Sequence, residues 1–176
     1  ERFIRHVLDL ENKKLICSMK LFDATDSIND TLHTCDIFDL NEGKLVALNK
    51  KLIPDIQSHL FTKTMFSTFK PEKIIIFDAV VGTNGAEILM QDPNGSIRIV
   101  LCNLESFDNK VSKLIQSSSF KTLKAPSFLY GTAAATISHC KRRGIPLIAI
   151  IGFLSINQGK TIQEILIDSY ELLYKV

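Results

Sequence analysis

The chain has no tryptophan, and only four cysteines, eight glycines and five prolines are spread over its 176 residues. No two cysteines have the close spacing of a zinc knuckle or a redox dithiol, which predicts reduced thiols rather than a metal or redox site. The formal net charge is only +2, which argues against a nucleic-acid-binding protein. No apolar run approaches the roughly 20 residues that a membrane-spanning helix needs. We therefore expect no nucleic acid and no membrane among its partners.

Length and composition are those of an ordinary globular domain. Hydrophobic residues make up 45% of the chain and charged residues 23%, which suffices for one core and is short for two. We predict a single α/β domain over residues 1–176. Because the first residue is Glu1 rather than Met, we expect a fragment of a longer chain. Reduced cysteines predict a cytoplasmic location and leave a nuclear one open.

Apolar patterning along the chain alternates between strands and helices. Runs without polar alternation predict strands buried on both faces at 73–79 and 147–153, and a third strand is predicted at 96–101. Helical patterns cover three segments: 55–69, 131–143 closed by Gly144, and the residues after Thr161. The apolar face predicted for 55–69 consists of Ile56, Leu60, Phe61, Met65, Phe66 and Phe69. This order predicts an α/β fold with a largely parallel sheet flanked by helices.

The remaining segments are less regular. Residues 2–8 and 15–21 flank a polar turn and predict an N-terminal antiparallel hairpin. Residues 23–42 are rich in Asp, Asn, Ser and Thr, which predicts a loop. Residues 44–51 predict the start of a helix. The polar residues 105–124 are expected to be a surface excursion.

Asp78 is the best-placed residue for catalysis, because it ends a predicted strand, where open α/β sheets hold their ligands. Gly82 and Gly85 follow in a loop that lacks the lysine and the glycine spacing of a phosphate-binding loop. A capping role for Asp78 in the next turn needs no ligand. A hydrolase-like or phosphorylase-like site at Asp78 and Gly82–Gly85 therefore stands only as an alternative.

No other residues form a catalytic set. His139 and Cys140 are neighbours on a predicted helix, and their side chains point about 100° apart, whereas a nucleophilic dyad must face itself. We expect no catalytic residue, no metal and no cofactor. The remaining candidates are Lys141, Arg142 and Arg143, which complement the negative end of the helix dipole and have a second interpretation as a docking patch for an acidic partner.

Residues 125–153, APSFLYGTAAATISHCKRRGIPLIAIIGF, resemble the C-terminal part of the chaperone 1 family of the proteasome-assembly-chaperone superfamily. The matching positions are a leading proline, an alanine pair, a Ser-x-Cys and a strand entry: Pro126, Ala134, Ala135, Ser138, Cys140, Ile145, Pro146, Leu147 and Ile148. The N-terminal strand pair and the helix and strand around Lys73 follow the same order, so the likeness extends loosely over most of the chain. The resemblance implies the α/β sandwich of that superfamily.

The same resemblance implies a non-enzymatic role. It implies a heterodimer with a related chaperone that scaffolds the α-subunit ring of the 20S proteasome. Some members end in a hydrophobic residue, a tyrosine and any residue, whereas Tyr174 is third from the end here, and no tail residue is carried over. The missing nucleophile, metal set and phosphate loop favour a chaperone or a purely structural subunit over an enzyme, and only the resemblance separates the first two.

Overall fold

The computed structural model describes residues 12–20, 35–40, 43–49, 53–81, 97–107, 109–117, 121–123 and 129–154. The chain divides into two compact units, Glu1–Phe61 and Thr62–Val176. The first contains a three-stranded antiparallel sheet and the second a four-stranded mixed sheet with helices. The predicted α/β class is confirmed, and the single-domain organisation stays a prediction.

The strands of the N-terminal unit pair in chain order. They are β1 (Lys14–Met19), β2 (Cys35–Asp39) and β3 (Leu45–Asn49), with β2 in the middle. The central position buries Cys35, Ile37 and Phe38. The Ser18 hydroxyl on β1 donates a 2.6 Å hydrogen bond to the carboxylate of buried Asp36, so the polar side chain is partnered inside the sheet.

Two predictions about this unit are wrong. Part of the loop predicted at 23–42 is strand β2, and the helix start predicted at 44–51 is strand β3. Pairing on both sides of β2 outweighs the local turn preference of its aspartates, because sheet contacts decide strand formation more than intrinsic propensity does. The antiparallel pairing of β1 is with β2, and the predicted hairpin partner, residues 2–8, lies outside the described residues.

The sheet of the C-terminal unit has strand β7 at its centre. Its order is β4 (Ile74–Val81), β7 (Leu147–Leu154), β5 (Ile97–Cys102) and β6 (Lys121–Thr122). The β4–β7 and β5–β6 pairings are parallel, and β5–β7 is antiparallel. The sheet is thus largely parallel, as predicted. Residues 147–153 are all buried, which confirms the buried strand read from their apolar run.

Strand β4 is less buried than its sequence predicted. Ile74, Ile76 and Phe77 are only partly buried, and Ile75 is 44% exposed. The cause is position: β4 has one neighbour, β7, among the strands that the structure describes. Four consecutive large apolar residues therefore indicated a strand correctly but did not distinguish an edge position from a central one.

Helices α1 (Asp55–Phe69) and α3 (Gly131–Arg143) have the predicted bounds. The Thr62 and Thr136 hydroxyl oxygens lie 3.3 Å apart, and the Phe66 and His139 ring centroids 4.2 Å apart. Contacts in this order mean that the second half of α1 runs parallel to α3. The apolar face predicted for α1 is partly wrong, because Ile56 is 91% exposed and Leu60 60% exposed, whereas Phe61 is buried.

The two faces of β7 bury different partners. One face joins α3 in an apolar cluster that contains Ala133, Cys140, Leu147, Ala149, Ile151 and Phe153. The other face packs Ile148 and Ile150 against Ile99, Phe107 and Ile115. Small residues on α3 let the helix approach the sheet closely, as the alanine-rich sequence predicted.

The surface excursion predicted at 105–124 is wrong in its middle. Helix α2 (Asn109–Ser117) lies there, and Phe107 and Ile115 are buried. Phe107, Val111 and Ile115 recur every four residues, which is the spacing of one helix face. No helix in the described ranges combines the length and apolar character that crossing a membrane requires.

Candidate functional site

Helix α3 ends in a left-handed cap that fixes the direction of its last turn. Gly144 has φ 69° and ψ 20°, and the Ile145 N–H donates to the Cys140 carbonyl at 3.0 Å. The Asn103 side-chain amide donates to the Gly144 carbonyl at 2.8 Å. These bonds satisfy groups that a helix C-terminus leaves open. The cap predicted at Gly144 is confirmed.

A second connection lies beside this cap. The Ile74 N–H donates to the Pro146 carbonyl at 3.0 Å, so the start of β4 is joined to the start of β7. Lys70 and Lys73 lie in the short connection between α1 and β4, and both are exposed. Since α1 and α3 run parallel, the two connections meet at the same end of the C-terminal unit.

The exposed cations of these two connections form one surface, which we call the basic end: Lys70, Lys73, Lys141, Arg142 and Arg143. The described carboxylates beside them are Glu72 and Glu105. Five cations and two carboxylates give a formal charge of +3, which exceeds the +2 of the whole chain. Each of the two helix C-termini adds about −0.5 charge, so the sum over the described residues of this end stays positive.

The cations of the basic end form no ion pairs with carboxylates among the described residues. The Lys73 ammonium lies 5.9 Å from the centroid of the Phe107 ring, a cation–π contact that positions the side chain and keeps its charge. Because these side chains are exposed and have no carboxylate partner among the described residues, anionic groups of another molecule can reach them.

His139 serves packing at this end. Desolvation lowers its pKa, and the charges of Arg143 and Arg142 lower it further. The ring is therefore neutral at pH 7 and packs against Phe66. Cys140, its neighbour in sequence, lies instead in the core cluster of α3 and β7, so the two side chains have different surroundings.

Cys140 is not a nucleophile in this environment. Burial raises the pKa of the Cys140 thiol to about 12, with a smaller contribution from nearby Cys102. The thiolate is the reactive form of cysteine, so the group is inert at neutral pH. All four cysteines of the chain are described, and none forms a disulfide; Cys35 and Cys140 are buried, and Cys17 and Cys102 are partly buried.

Asp78 lies within strand β4, three residues before its end, opposite Ile151. The prediction that it ends the strand is wrong, because pairing with β7 continues to Val81. Burial raises the pKa of the Asp78 carboxyl, and a 2.8 Å hydrogen bond from the Ala79 N–H opposes that shift. Gly82 and Gly85, the other half of the alternative site, lie outside the described residues.

The structure brings no metal-binding set to Asp78. Among the residues described, no three His, Cys, Asp or Glu side chains are grouped so that they could hold a metal ion. The carboxylate has a local hydrogen bond to its own backbone neighbour. This contact gives the carboxylate a partner within the strand, and the turn that Asp78 was predicted to cap lies outside the described residues.

Sequence reasoning found Lys141, Arg142 and Arg143 and missed Lys70 and Lys73. The available signal was that each group stands between a helix and a buried strand. It could not be used because strands β4 and β7 are adjacent in space and about 70 residues apart in sequence. Adjacency of parallel strands is a tertiary fact that local patterns do not contain.

Solved structures of other proteins share this arrangement of strands and helices. PbaA from Pyrococcus furiosus, an archaeal homolog of proteasome-assembly chaperone, is 12% identical with a TM-score of 0.58, over 98% of this chain and 74% of that chain. The fold of this chain thus resembles that of an archaeal proteasome-assembly-chaperone homologue. PbaB, an archaeal proteasome activator from the same organism, is 10% identical with a TM-score of 0.54, over 98% of this chain and 86% of that one.

A protein of unknown function from Thermoplasma acidophilum is also similar, with 13% identity and a TM-score of 0.66, over 99% of this chain and 69% of that one. No family model and no curated protein matches the sequence. At such low identities the likeness to solved structures shows the fold alone, and fold does not by itself give function. The names of PbaA and PbaB describe an assembly-chaperone homologue and an activator, and neither names an enzymatic activity.

Proposed function

We propose that this chain is a non-enzymatic assembly chaperone of the proteasome-assembly-chaperone superfamily, related to its chaperone 1 family. It promotes assembly of the α-subunit ring of the 20S proteasome as a heterodimer with a related chaperone. Its place of work is the cytoplasm, and the nucleus is left open. The partners in this proposal are thus the paired chaperone and the proteasome α subunits.

The observation that carries the proposal is the likeness to PbaA over 98% of this chain. The fold agrees with the resemblance of residues 125–153 to the chaperone 1 family, which rests on sequence alone. In the structure these residues include helix α3, its Gly144 cap and strand β7. The two sources are different in kind, because one compares backbone arrangement and the other compares residues.

The described residues support binding better than catalysis. Cys140 is a buried thiol, His139 is packed on Phe66, and Asp78 is bonded to the Ala79 N–H. Each of these candidate catalytic groups has a structural role that its contacts explain. The five exposed cations of the basic end, in contrast, are accessible to a protein partner.

Affinity purification of the tagged chain from a cell that expresses its natural partners tests the proposal. We expect mass spectrometry to recover proteasome α subunits together with a related chaperone, in a complex that lacks the proteasome β subunits of the finished particle. Coexpression with the recovered chaperone should then give a stable one-to-one complex in size-exclusion chromatography.

The tag alone and an unrelated α/β protein with the same tag are the controls. Consistent absence of α subunits above these controls would contradict the proposal. Recovery of mature proteasome without any paired chaperone would contradict the heterodimer and favour an activator-like role instead.

A further inference from the structure

We propose that the basic end is a docking surface for an acidic polypeptide segment, a stretch of chain rich in Asp and Glu on a partner protein. The inference rests on the proposed function only for the identity of that partner, and the chemistry of recognition is argued from this chain alone. The surface is defined by Lys70, Lys73, Lys141, Arg142 and Arg143.

Helix capping does not account for this charge. A helix C-terminus carries about −0.5 charge, so Lys141, Arg142 and Arg143 exceed what the end of α3 needs. Lys70 follows α1 directly, and its N–H donates to the Phe66 carbonyl at 3.1 Å, whereas Lys73 lies three residues further on, outside the helix. They join the same surface only because Ile74 and Pro146 are hydrogen bonded at 3.0 Å.

The geometry favours carboxylates as the ligand. Arginine side chains present a planar fork that pairs with a carboxylate through two hydrogen bonds, and lysine adds a mobile point charge. Contact with the Phe107 ring leaves the Lys73 ammonium exposed. The last turn of α3 and the α1–β4 connection are held by backbone hydrogen bonds, so little backbone freedom has to be lost on binding.

An acidic polypeptide fits this surface better than a polyphosphate does. Glu72 and Glu105 stand among the cations, and the net charge of the whole chain is only +2. A nucleic acid or an anionic membrane is bound through broad surfaces of one sign. A short acidic segment can follow the cations while avoiding the two glutamates, which then help to fix its register.

The test measures binding of a fluorescein-labelled twelve-residue peptide of Asp and Glu by fluorescence anisotropy. A peptide of Asn and Gln with the same length is the probe control. We expect the acidic peptide to bind and the amide peptide not to, with affinity falling as salt is raised from 50 to 200 mM, since exposed charges are screened.

The first variant is Lys70→Glu with Lys73→Glu, which changes no residue of a helical last turn. Reversal of two exposed charges should weaken binding by about tenfold. Its matched control is Lys14→Glu with Lys63→Glu, which makes the same charge change at two exposed lysines that do not belong to the basic end and should change affinity less than twofold. A second variant, Lys141→Gln with Arg142→Gln and Arg143→Gln, tests the other half of the surface.

Equal effects of the test and control pairs would overturn the proposal, as would tighter binding of single-stranded DNA or phosphatidylserine vesicles with the same dependence on Lys70 and Lys73. Circular dichroism and the melting temperature establish that each variant is folded. If the triple variant fails to fold, the Lys70 and Lys73 pair still decides the outcome.

Affinity purification separates this inference from the proposed function. Recovery of α subunits by a protein that does not bind the acidic peptide would contradict the docking surface alone. Peptide binding by a protein that recovers no proteasome component would contradict the proposed function alone. Loss of a recovered partner from the Lys70 and Lys73 variant, with retention by the Lys14 and Lys63 control, would support both.

Discussion

Asp78 is a partly buried carboxylate whose charge is unfavourable where it lies. Burial raises its pKa, so the folded state holds its proton more tightly than the unfolded state does. Stability from this group is therefore greatest below the usual aspartate pKa and is lost as pH rises through the raised folded pKa. At pH 7 the ionised carboxylate is the costly form.

We expect Asp78→Asn to raise the melting temperature at pH 7. The asparagine oxygen can still accept the hydrogen bond from the Ala79 N–H, and no buried charge remains. The advantage should shrink as pH is lowered, because the raised pKa favours protonation of the wild-type carboxyl and removes its buried charge. Asp78→Ala, which removes the acceptor, is the control and should be less stable than Asp78→Asn. A functional role in binding or catalysis would gain support if partner binding fell in the asparagine variant.

His139 gives the opposite pH dependence. Its pKa is lowered by desolvation and then by Arg143 and Arg142, so the unfolded state binds the proton more readily than the folded state. Stability should fall as pH drops below about 6.5, the usual histidine value.

We predict that His139→Phe reduces this acid sensitivity, because the phenyl ring can keep the contact with Phe66 and cannot be protonated. Thermal melts between pH 7.5 and 5 measure the effect. The difference in melting temperature between variant and wild type should grow as pH falls, because the two proteins differ only at position 139. Parallel curves would contradict the assigned role.

At the scale of elements, the end of α3 depends on one backbone conformation. Gly144 has φ 69°, and a Cβ there would meet only the Asn103 amide nitrogen at 3.9 Å, which is ordinary contact. The cost of a side chain is therefore conformational rather than steric.

We expect Gly144→Ala to reduce the free energy of unfolding by about 1 kcal/mol, the usual penalty of the left-handed region. Gly144→Asn should cost less, since asparagine tolerates that region better. Denaturation by urea measures both. A loss of stability in the asparagine variant equal to or larger than that in the alanine variant would show that something other than the backbone angle matters.

Helix α1 shows how far periodicity reaches. Its bounds could be predicted from Pro54 and the Lys70–Pro71 end, but its buried face only in part: Phe61 is 6% exposed, as predicted, whereas Ile56 is 91% exposed. We expect Phe61→Ala to cost about 3 kcal/mol and Ile56→Ala to change stability by less than about 0.5 kcal/mol. Similar losses in urea denaturation would show that Ile56 is covered in solution.

The predictions for β2 and β3 were wrong for a similar reason, because contacts with other elements outweighed the local pattern. Strands β2 and β3 carry Asp36, Asp39 and Asn49, whose local preference is for turns. Their strand conformation comes from pairing with neighbours and from the Ser18 bond to Asp36. Strand β7 could be predicted because its own residues, buried on both faces, leave little else possible. The sequence was sufficient to predict an element whose own residues determine its conformation, as in β7. It was insufficient where pairing with a neighbouring strand determines the conformation, as in β2 and β3.

At the scale of the whole molecule, the candidate site shows the same division. Lys141, Arg142 and Arg143 are contiguous and could be found in the sequence, together with the cap that positions them. Lys70 and Lys73 could be assigned to the same surface only from the pairing of β4 with β7. Charge that is scattered along the chain thus becomes concentrated in space, which a net charge of +2 conceals.

The single-domain prediction concerns the whole chain and can be decided by native-state hydrogen exchange. The boundary between the two compact units falls between Phe61 and Thr62, inside helix α1. Helices form cooperatively. Unfolding of the part of α1 before this boundary should therefore destabilise the part of α1 after it. We therefore expect the amides of β2 and β7 to lose protection at the same urea concentration and with the same unfolding free energy. Loss of protection in β2 well before β7 would instead mean that the chain contains two independently unfolding domains.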